Sequence, residues 1–162
     1  MKTKIDIRQL SLEELTAKIE VLGEKKFRAK QIHEWLWKKR AIDFNQMTNL
    51  SKSLRNLLEE NFIINGILLK EAQKSNDKTI KNAFLLSDQS VIEGVLIPTK
   101  KRMTACVSVQ VGCSLDCAFC ATGKLKRVRN LNADEIYDQV VMINEQSINE
   151  YEIPISNIVY MG

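Results

Sequence analysis

The chain has 162 residues, 44% of them hydrophobic, 27% charged and 6% aromatic, with a formal net charge of +4. Ordinary apolar content and nearly balanced charge exclude a disordered chain, and the length admits one ordinary domain or two small ones with a buried core. The longest apolar run, Val140-Val141-Met142-Ile143, is too short to cross a bilayer, and the basic start MKTKIDIRQL lacks the apolar stretch of a secretory signal; the sequence therefore reads as cytoplasmic, with no membrane partner.

Ser11-Leu12-Glu13-Glu14 has the pattern of a capping box, with Leu12, Leu15, Ile19 and Leu22 following at helical spacing and Gly23 as a stop. A second helix fits 27–40, where Ala29, Ile32 and Leu36 form one stripe and Phe27, Gln31 and Trp35 its neighbour. A third fits 51–61, with Leu54, Leu57 and Leu58 on one face. Together these predict a helical bundle over 1–62. From Asn65 the period changes: short strands over 67–69, 80–86 and 91–97, separated by polar connectors at 74–78 and 87–90, predict an antiparallel meander over 63–99. Beyond residue 100, a strand pattern over 106–111 leads into a Gly- and Cys-rich loop. Asn132 and Glu135 then open a helix with Ile136, Val140 and Ile143 as its apolar face, and a strand follows at 155–160. Strand, loop, helix, strand is a right-handed βαβ unit with parallel strands. The fold class read from this order is α/β with an α+β accessory region: a helical bundle, a small antiparallel sheet, then over 100–162 the first βαβ of a barrel or doubly wound sheet, cut short, since a lone βαβ leaves its sheet edges unpartnered.

All four cysteines fall within 106–120, and Cys113, Cys117 and Cys120 have the spacing C-x3-C-x2-C. Three thiolates on one tight loop can hold three irons of a cubane and leave the fourth iron without a protein ligand. Small neighbours (Gly112, Ser114, Ala118) let the backbone curl around such a group. The alternatives are a structural zinc site with Cys106 as fourth ligand, although zinc knuckles usually come as C-x2-C pairs, and unmetallated thiols.

Charge is unevenly placed. Residues 1–99 hold 17 basic and 13 acidic side chains, 100–130 hold seven basic against Asp116 alone, and 131–162 hold six acidic and no basic ones. A positive segment around the cysteines points to a polyanion or an anionic small molecule. Lys25, Lys26, Arg28, Lys30, Lys38, Lys39 and Arg40 bracket the second helix, with Trp35 and Trp37 between them; such a run is a solvated helix face or a phosphate-binding surface, and the second positive segment favours RNA. The single histidine, His33, reads as a packing or surface residue.

Cys113-Ser114-Leu115-Asp116-Cys117-Ala118-Phe119-Cys120 resembles the radical S-adenosylmethionine (SAM) signature. Its context resembles the radical-SAM adenosine carbon-2 methyltransferases of 23S rRNA: Cys106-Val107-Ser108-Val109-Gln110-Val111-Gly112, Cys120-Ala121-Thr122-Gly123, Arg129-Asn130-Leu131, Phe27-Arg28-Ala29-Lys30-Gln31-Ile32-His33-Glu34-Trp35, Met47-Thr48-Asn49-Leu50-Ser51 and Ile92-Glu93-Gly94-Val95-Leu96-Ile97-Pro98. The resemblance implies a radical-SAM barrel and a 4Fe–4S cluster on Cys113, Cys117 and Cys120 with SAM on the open iron and Phe119 near its adenine. It implies a 5′-deoxyadenosyl radical that takes hydrogen from an S-methyl group on a cysteine near the family's C-terminus. In that scheme Cys106 aligns with the resolving cysteine, which forms a transient disulfide as methylated RNA leaves, and Glu93 with the proton acceptor. The implied partners are 23S rRNA, tRNA and a reductant such as flavodoxin, the implied state is a monomer, and the family's N-terminal domain helps to grip RNA.

Read from the residues alone, Cys106 is a buried structural cysteine or a thiol activated by the nearby cations, and Glu93 is a buried base or an outward-facing strand residue. The family continues past this point with a Gly-Glu-Pro segment and the methyl-carrying cysteine, so the chain is expected to be a fragment without methyltransferase activity by itself. Its stretch Leu125-Lys126-Arg127-Val128 is more basic than the family's usual one. Two other readings share these features: the carbon-8 methyltransferase subgroup linked to antibiotic resistance, and a non-catalytic, metal-stabilised RNA-binding module.

Overall fold

A computed structural model describes residues 4–114 and 125–161, which fall into two units, 1–65 and 66–162. The first begins with β1 (Ile5–Asp6), and α1 (Leu12–Val21) starts where the capping box predicts. Ser11 Oγ accepts from the Glu14 N–H at 3.1 Å, and the Glu14 carboxylate accepts from the Ser11 N–H at 2.8 Å; these bonds hold the Glu14 carboxyl below its ordinary range. Gly23, with φ +83°, takes the left-handed conformation that follows the helix. On α2 (Phe27–Trp37) the stripe Ala29, Ile32, Leu36 is buried, whereas Phe27 stays 49% exposed. That helix is three residues shorter than its periodicity suggests: the Ala41 N–H turns back to the Trp35 carbonyl at 2.9 Å, and Arg40 sits at φ 58°. Ser51 caps α3 (Lys52–Asn61), which buries Leu54 and Leu58 against the other helices. The pairing that closes this unit has no local signal. β1 runs parallel to β2 (Phe62–Ile63), and the buried Asp6 carboxylate accepts from the Arg8 N–H at 3.0 Å and the Asn65 N–H at 3.2 Å, tying the unit's two ends together.

The second unit is a five-stranded sheet with one long helix. β3 (Leu68–Lys74), β4 (Ile80–Leu85), β5 (Val91–Pro98) and β6 (Met103–Ser108) pair antiparallel in that order. After the short strands β7 (Gln110–Val111) and β8 (Arg129–Asn130), α4 (Ala133–Tyr151) crosses one face and delivers β9 (Asn157–Met161) parallel to β6. This is the expected βαβ unit. The expected boundary at 99/100 is not a structural one, because β5 pairs with β6 and places Val95 opposite Cys106. The meander supplies the partner that an isolated βαβ strand would lack, so the segments read as 63–99 and 100–162 share one sheet.

Alternation places Ile92, Gly94 and Leu96 of β5 and Ala105 and Val107 of β6 on the face under α4, where Ile143 is fully buried. Gly94 allows the close packing: a Cβ there would lie 2.8 Å from Phe84 Cε2 and 3.1 Å from Ile143 Cδ1. Buried Asn82 of β4 exchanges amide hydrogen bonds of 2.9 and 3.0 Å with Gln146 of α4, fixing the helix over the sheet without leaving a polar group unpaired. Among the described residues, no helix is long and apolar enough to cross a membrane.

Candidate functional site

The cysteine-bearing segment leaves the sheet at the C-terminal end of β6. The backbone breaks at Val109, whose N–H donates to the Met161 carbonyl at 2.8 Å, and resumes as β7, paired antiparallel with β8. Beyond that ladder the Val128 N–H donates to the Val111 carbonyl at 2.8 Å, and the Cys113 N–H to the Leu125 carbonyl at 3.1 Å. The base of the segment is therefore a closed stem of two strands. Gly112 makes the closure possible: it has φ +71°, and a Cβ on it would lie 2.2 Å from the Lys126 carbonyl oxygen and 2.8 Å from its carbon. Cys113, next in the chain, is 6% exposed. Cys117, Phe119 and Cys120 lie outside the described residues, among which no group of three or more His, Cys, Asp or Glu side chains could hold a metal ion. The donor chemistry on view, a buried thiol beside a glycine-enabled approach of two backbones, suits a sulfur-ligated iron cluster and the C-x3-C-x2-C spacing.

Glu93 and Cys106 come together on the sheet face opposite α4. In register, Val95 faces Cys106, and the Ser108 hydroxyl donates to the Glu93 carbonyl at 2.7 Å, so Glu93 and Cys106 are diagonal neighbours on adjacent strands. The buried-base reading of Glu93 does not hold in this arrangement. Its side chain is 51% exposed and lies 3.3 Å from Lys81 Nζ, the outward orientation that strand alternation gives. The expected activation of Cys106 by cations is also reversed, because the thiol is buried and desolvation pushes its pKa up.

Two arrangements at the stem have no counterpart in the sequence reading. Arg129 of β8 forms a bidentate pair with Glu135 of α4, at 2.7 Å for each bond, and reaches Asp88 in the β4–β5 turn at 2.8 Å. The two carboxylates hold the guanidinium firmly charged, and Arg129 in turn holds the Asp88 carboxyl below its ordinary range. Sequence counting placed Arg129 in the cationic segment and gave Glu135 only a capping role, which it also fills by accepting from the Asn132 N–H at 2.8 Å. Gln139 is fully buried and spends its amide on Ser108; the signal for it was a lone amide beside the apolar stripe Ile136, Val140, Ile143.

In the first unit, α2 presents cations beside aromatic rings. Lys39 Nζ lies 3.9 Å from the Trp35 ring centre and the Arg28 guanidinium 4.8 Å from that of Phe27, while Trp35 Nε1 donates to the Asn49 side chain. His33 packs near Trp37, ring centres 6.2 Å apart, which is the packing role expected of it. Lys25, Lys26, Lys30, Lys38 and Arg40 are exposed.

Residues 5–64 match the ribosomal RNA large subunit methyltransferase N-terminal domain. The chain is 57% identical to a "Probable dual-specificity RNA methyltransferase RlmN" of Christiangramia forsetii, over 98% of this chain and 45% of that protein. It is 43% identical to a "Dual-specificity RNA methyltransferase RlmN" of Geotalea uraniireducens, over 98% and 45% respectively. A crystal structure of a radical SAM methyltransferase from Sphaerobacter thermophilus superposes with a TM-score of 0.76 at 34% identity, covering 96% of this chain and 47% of that one. The chain thus spans about half the length of the relatives it matches. Taken with the βαβ unit and the cysteine stem, these likenesses show a chain that is similar over nearly its whole length to about half of a radical SAM RNA methyltransferase, with residues 5–64 matching the N-terminal domain of the ribosomal RNA large subunit methyltransferases.

Proposed function

We propose that this chain is part of an enzyme that methylates carbon 2 of an adenosine in 23S rRNA, and of an adenosine in the anticodon loop of tRNA. The observation that carries the reading is positional. Cys113 follows the C-terminal end of β6, the first strand of a parallel pair, where barrel enzymes assemble their chemistry, and the face opposite α4 holds Cys106 and Glu93 together. Cys113, Cys117 and Cys120 would hold a 4Fe–4S cluster, with Phe119 beside the adenine of SAM, and the bound group would supply the electron that cleaves SAM.

The chain's own residues then have separate tasks. Gly112 keeps the stem closed, so that the Cys113 thiol stays out of water. Cys106, buried and held protonated, serves as the resolving thiol and must lose its proton before it attacks sulfur. Glu93 accepts a proton on the same face once Lys81 releases its carboxylate. On the first unit, the exposed lysines around α2 hold RNA phosphates, and Phe27, half exposed beside Arg28, offers a ring to an unpaired base.

Anaerobic reconstitution with iron and sulfide tests the cluster. A brown chain with broad visible absorption that Cys113→Ala abolishes supports the reading, whereas colourless uptake of one zinc overturns it. The reaction is tested by nucleoside mass spectrometry of rRNA and tRNA from cells whose gene for this sequence carries Cys113→Ala. Loss of 2-methyladenosine is expected, loss of 8-methyladenosine would shift the assignment to carbon 8, and loss of neither would refute it.

A further inference from the structure

Gln139 is fully buried, yet its side chain bonds to a neighbouring strand and not to another side chain. Its Oε1 accepts from the Ser108 N–H at 2.9 Å, and its Nε2 donates to the Ser108 carbonyl at 3.1 Å and to the Glu135 carbonyl at 3.2 Å. Ser108 is the last residue of β6, where the ladder breaks before the chain runs out to Cys113. The amide takes the place of a missing strand, satisfying both backbone groups at the break. One turn earlier on α4, Glu135 grips Arg129 through two 2.7 Å bonds, and Arg129 belongs to β8, the strand on which the chain returns. Residues four apart on a helix share a face. A single face of α4 therefore holds both the outgoing and the returning strand of the cysteine stem.

We propose that Gln139 and Glu135 are positioning residues that set the spacing of the two strands of the stem and thereby fix where Cys113 presents its sulfur. The consequence for cofactor assembly rests on the reading of Cys113 as a cluster ligand, whereas the geometric part does not.

The first arm uses the reduced, metal-free chain and measures alkylation of each cysteine by iodoacetamide, with sites assigned by peptide fragmentation. Gln139→Leu leaves the Ser108 N–H and carbonyl without partners, and the Cys113 rate is expected to rise about tenfold, equivalent to about 1.4 kcal/mol of easier local opening. The control is Ser147→Ala, which removes another buried α4 hydrogen bond, from Ser147 Oγ to the Ile153 carbonyl at 2.6 Å, at the far end of the helix. It should lower the thermal midpoint while leaving the Cys113 rate within about twofold of wild type, because openings at separate places are independent. Equal Cys113 rates in the two variants would overturn the proposal. Arg129→Gln keeps the Gln139 bonds while taking the counter-charge from the buried Glu135 carboxylate, should also raise the Cys113 rate, and decides the matter alone if Gln139→Leu does not fold. The second arm is iron content and visible spectrum after reconstitution. A wild-type chain that takes up no cluster defeats the cluster reading and leaves alkylation to decide the positioning; a wild-type chain that loads while Gln139→Leu and Arg129→Gln load equally, with the same spectrum, defeats the positioning.

Discussion

Gly112→Ala is the substitution that probes the cysteine stem most directly. Gly112 has φ +71°, where an L side chain costs roughly 1–2 kcal/mol. The added Cβ would also lie 2.2 Å from the Lys126 carbonyl oxygen and 3.1 Å from Arg127 Cα. Those atoms are backbone, so the strain cannot be relieved by turning a side chain. Moving them apart would break the bonds from the Cys113 N–H to Leu125 and from the Val128 N–H to Val111, each worth about 1 kcal/mol net. The expected local cost is therefore roughly 3–4 kcal/mol, the sum of these contributions. Gly23→Ala isolates the conformational part. Gly23 has φ +83° with nothing within 4 Å of a built Cβ, so that change should cost only roughly 1–2 kcal/mol. Amide hydrogen exchange at Cys113 and Val128, read beside urea titrations of both variants, separates the two contributions. If Gly112→Ala costs no more than Gly23→Ala and leaves the Val128 amide as protected as in wild type, the closed stem is not what holds this segment.

The remaining expectations concern other parts of the chain. Gly94→Ala should destabilise by about 1–3 kcal/mol through overpacking against Phe84 and Ile143, with Phe84→Leu partly restoring a urea midpoint that would stay unmoved if α4 could simply shift. Ser51→Ala should cost about 1 kcal/mol, because its hydroxyl accepts from the Leu54 N–H at 3.2 Å, and an unchanged midpoint would show that this cap is not in place. The raised Cys106 thiol stabilises the fold in its neutral form. That contribution is full below the ordinary value of 9.0 and is lost as pH rises from there through the folded-state pKa, so the stability difference between wild type and Cys106→Ala should shrink above that pH and would stay constant if burial did not act. Replacing Lys25, Lys26 and Lys30 together by Gln should flatten the dependence of log RNA affinity on log salt by about 0.7–0.9 for each phosphate no longer neutralised, and an unaltered slope would remove this face from the RNA interface.

Elements carried by local chemistry were legible in the sequence. The Ser11 box, the Gly23 stop and the start of α4 each follow from residues a few positions apart, and the parallel β6–β9 crossover follows from the order strand, helix, strand. What escaped was non-local or irregular. β1 and β2 are two residues each and pair across most of the first unit, so neither has a period to detect. β3 is exposed along its whole length and its register shifts between Leu69 and Glu71, which erases the alternation and leaves its second half without a strand signal. At the site, spacing alone pointed to Cys113, Cys117 and Cys120 as a ligand set, because ligand geometry is written into sequence intervals, and of these the described residues include Cys113, which is buried. The environment of a side chain is not written there. Glu93 and Cys106 were singled out from the chain, but that one is half exposed against Lys81 and the other desolvated depends on which strands flank them, and only the fold supplies those neighbours.

The charge pattern shows the same dependence on neighbours. Counting gave seven cations over 100–130 and six carboxylates over 131–162, as if two opposed fields lay side by side. Arg129 and Glu135, one from each group, neutralise each other within the stem, and Glu150 is paired with Lys74 at 2.6 Å. Part of the segregation is therefore internal wiring and contributes little to the field an approaching anion meets. Lys126 and Arg127 are different. They are exposed, and among the described residues Arg127 donates to the neutral Asn130 amide oxygen at 2.7 Å, which leaves the guanidinium its charge. Their place is set by the contact that requires Gly112, since the backbone pressed against that glycine is their own. The closure that buries Cys113 thus also brings exposed positive charge to the returning segment beside it, where the proposed function needs polyanion binding and sulfur chemistry to meet.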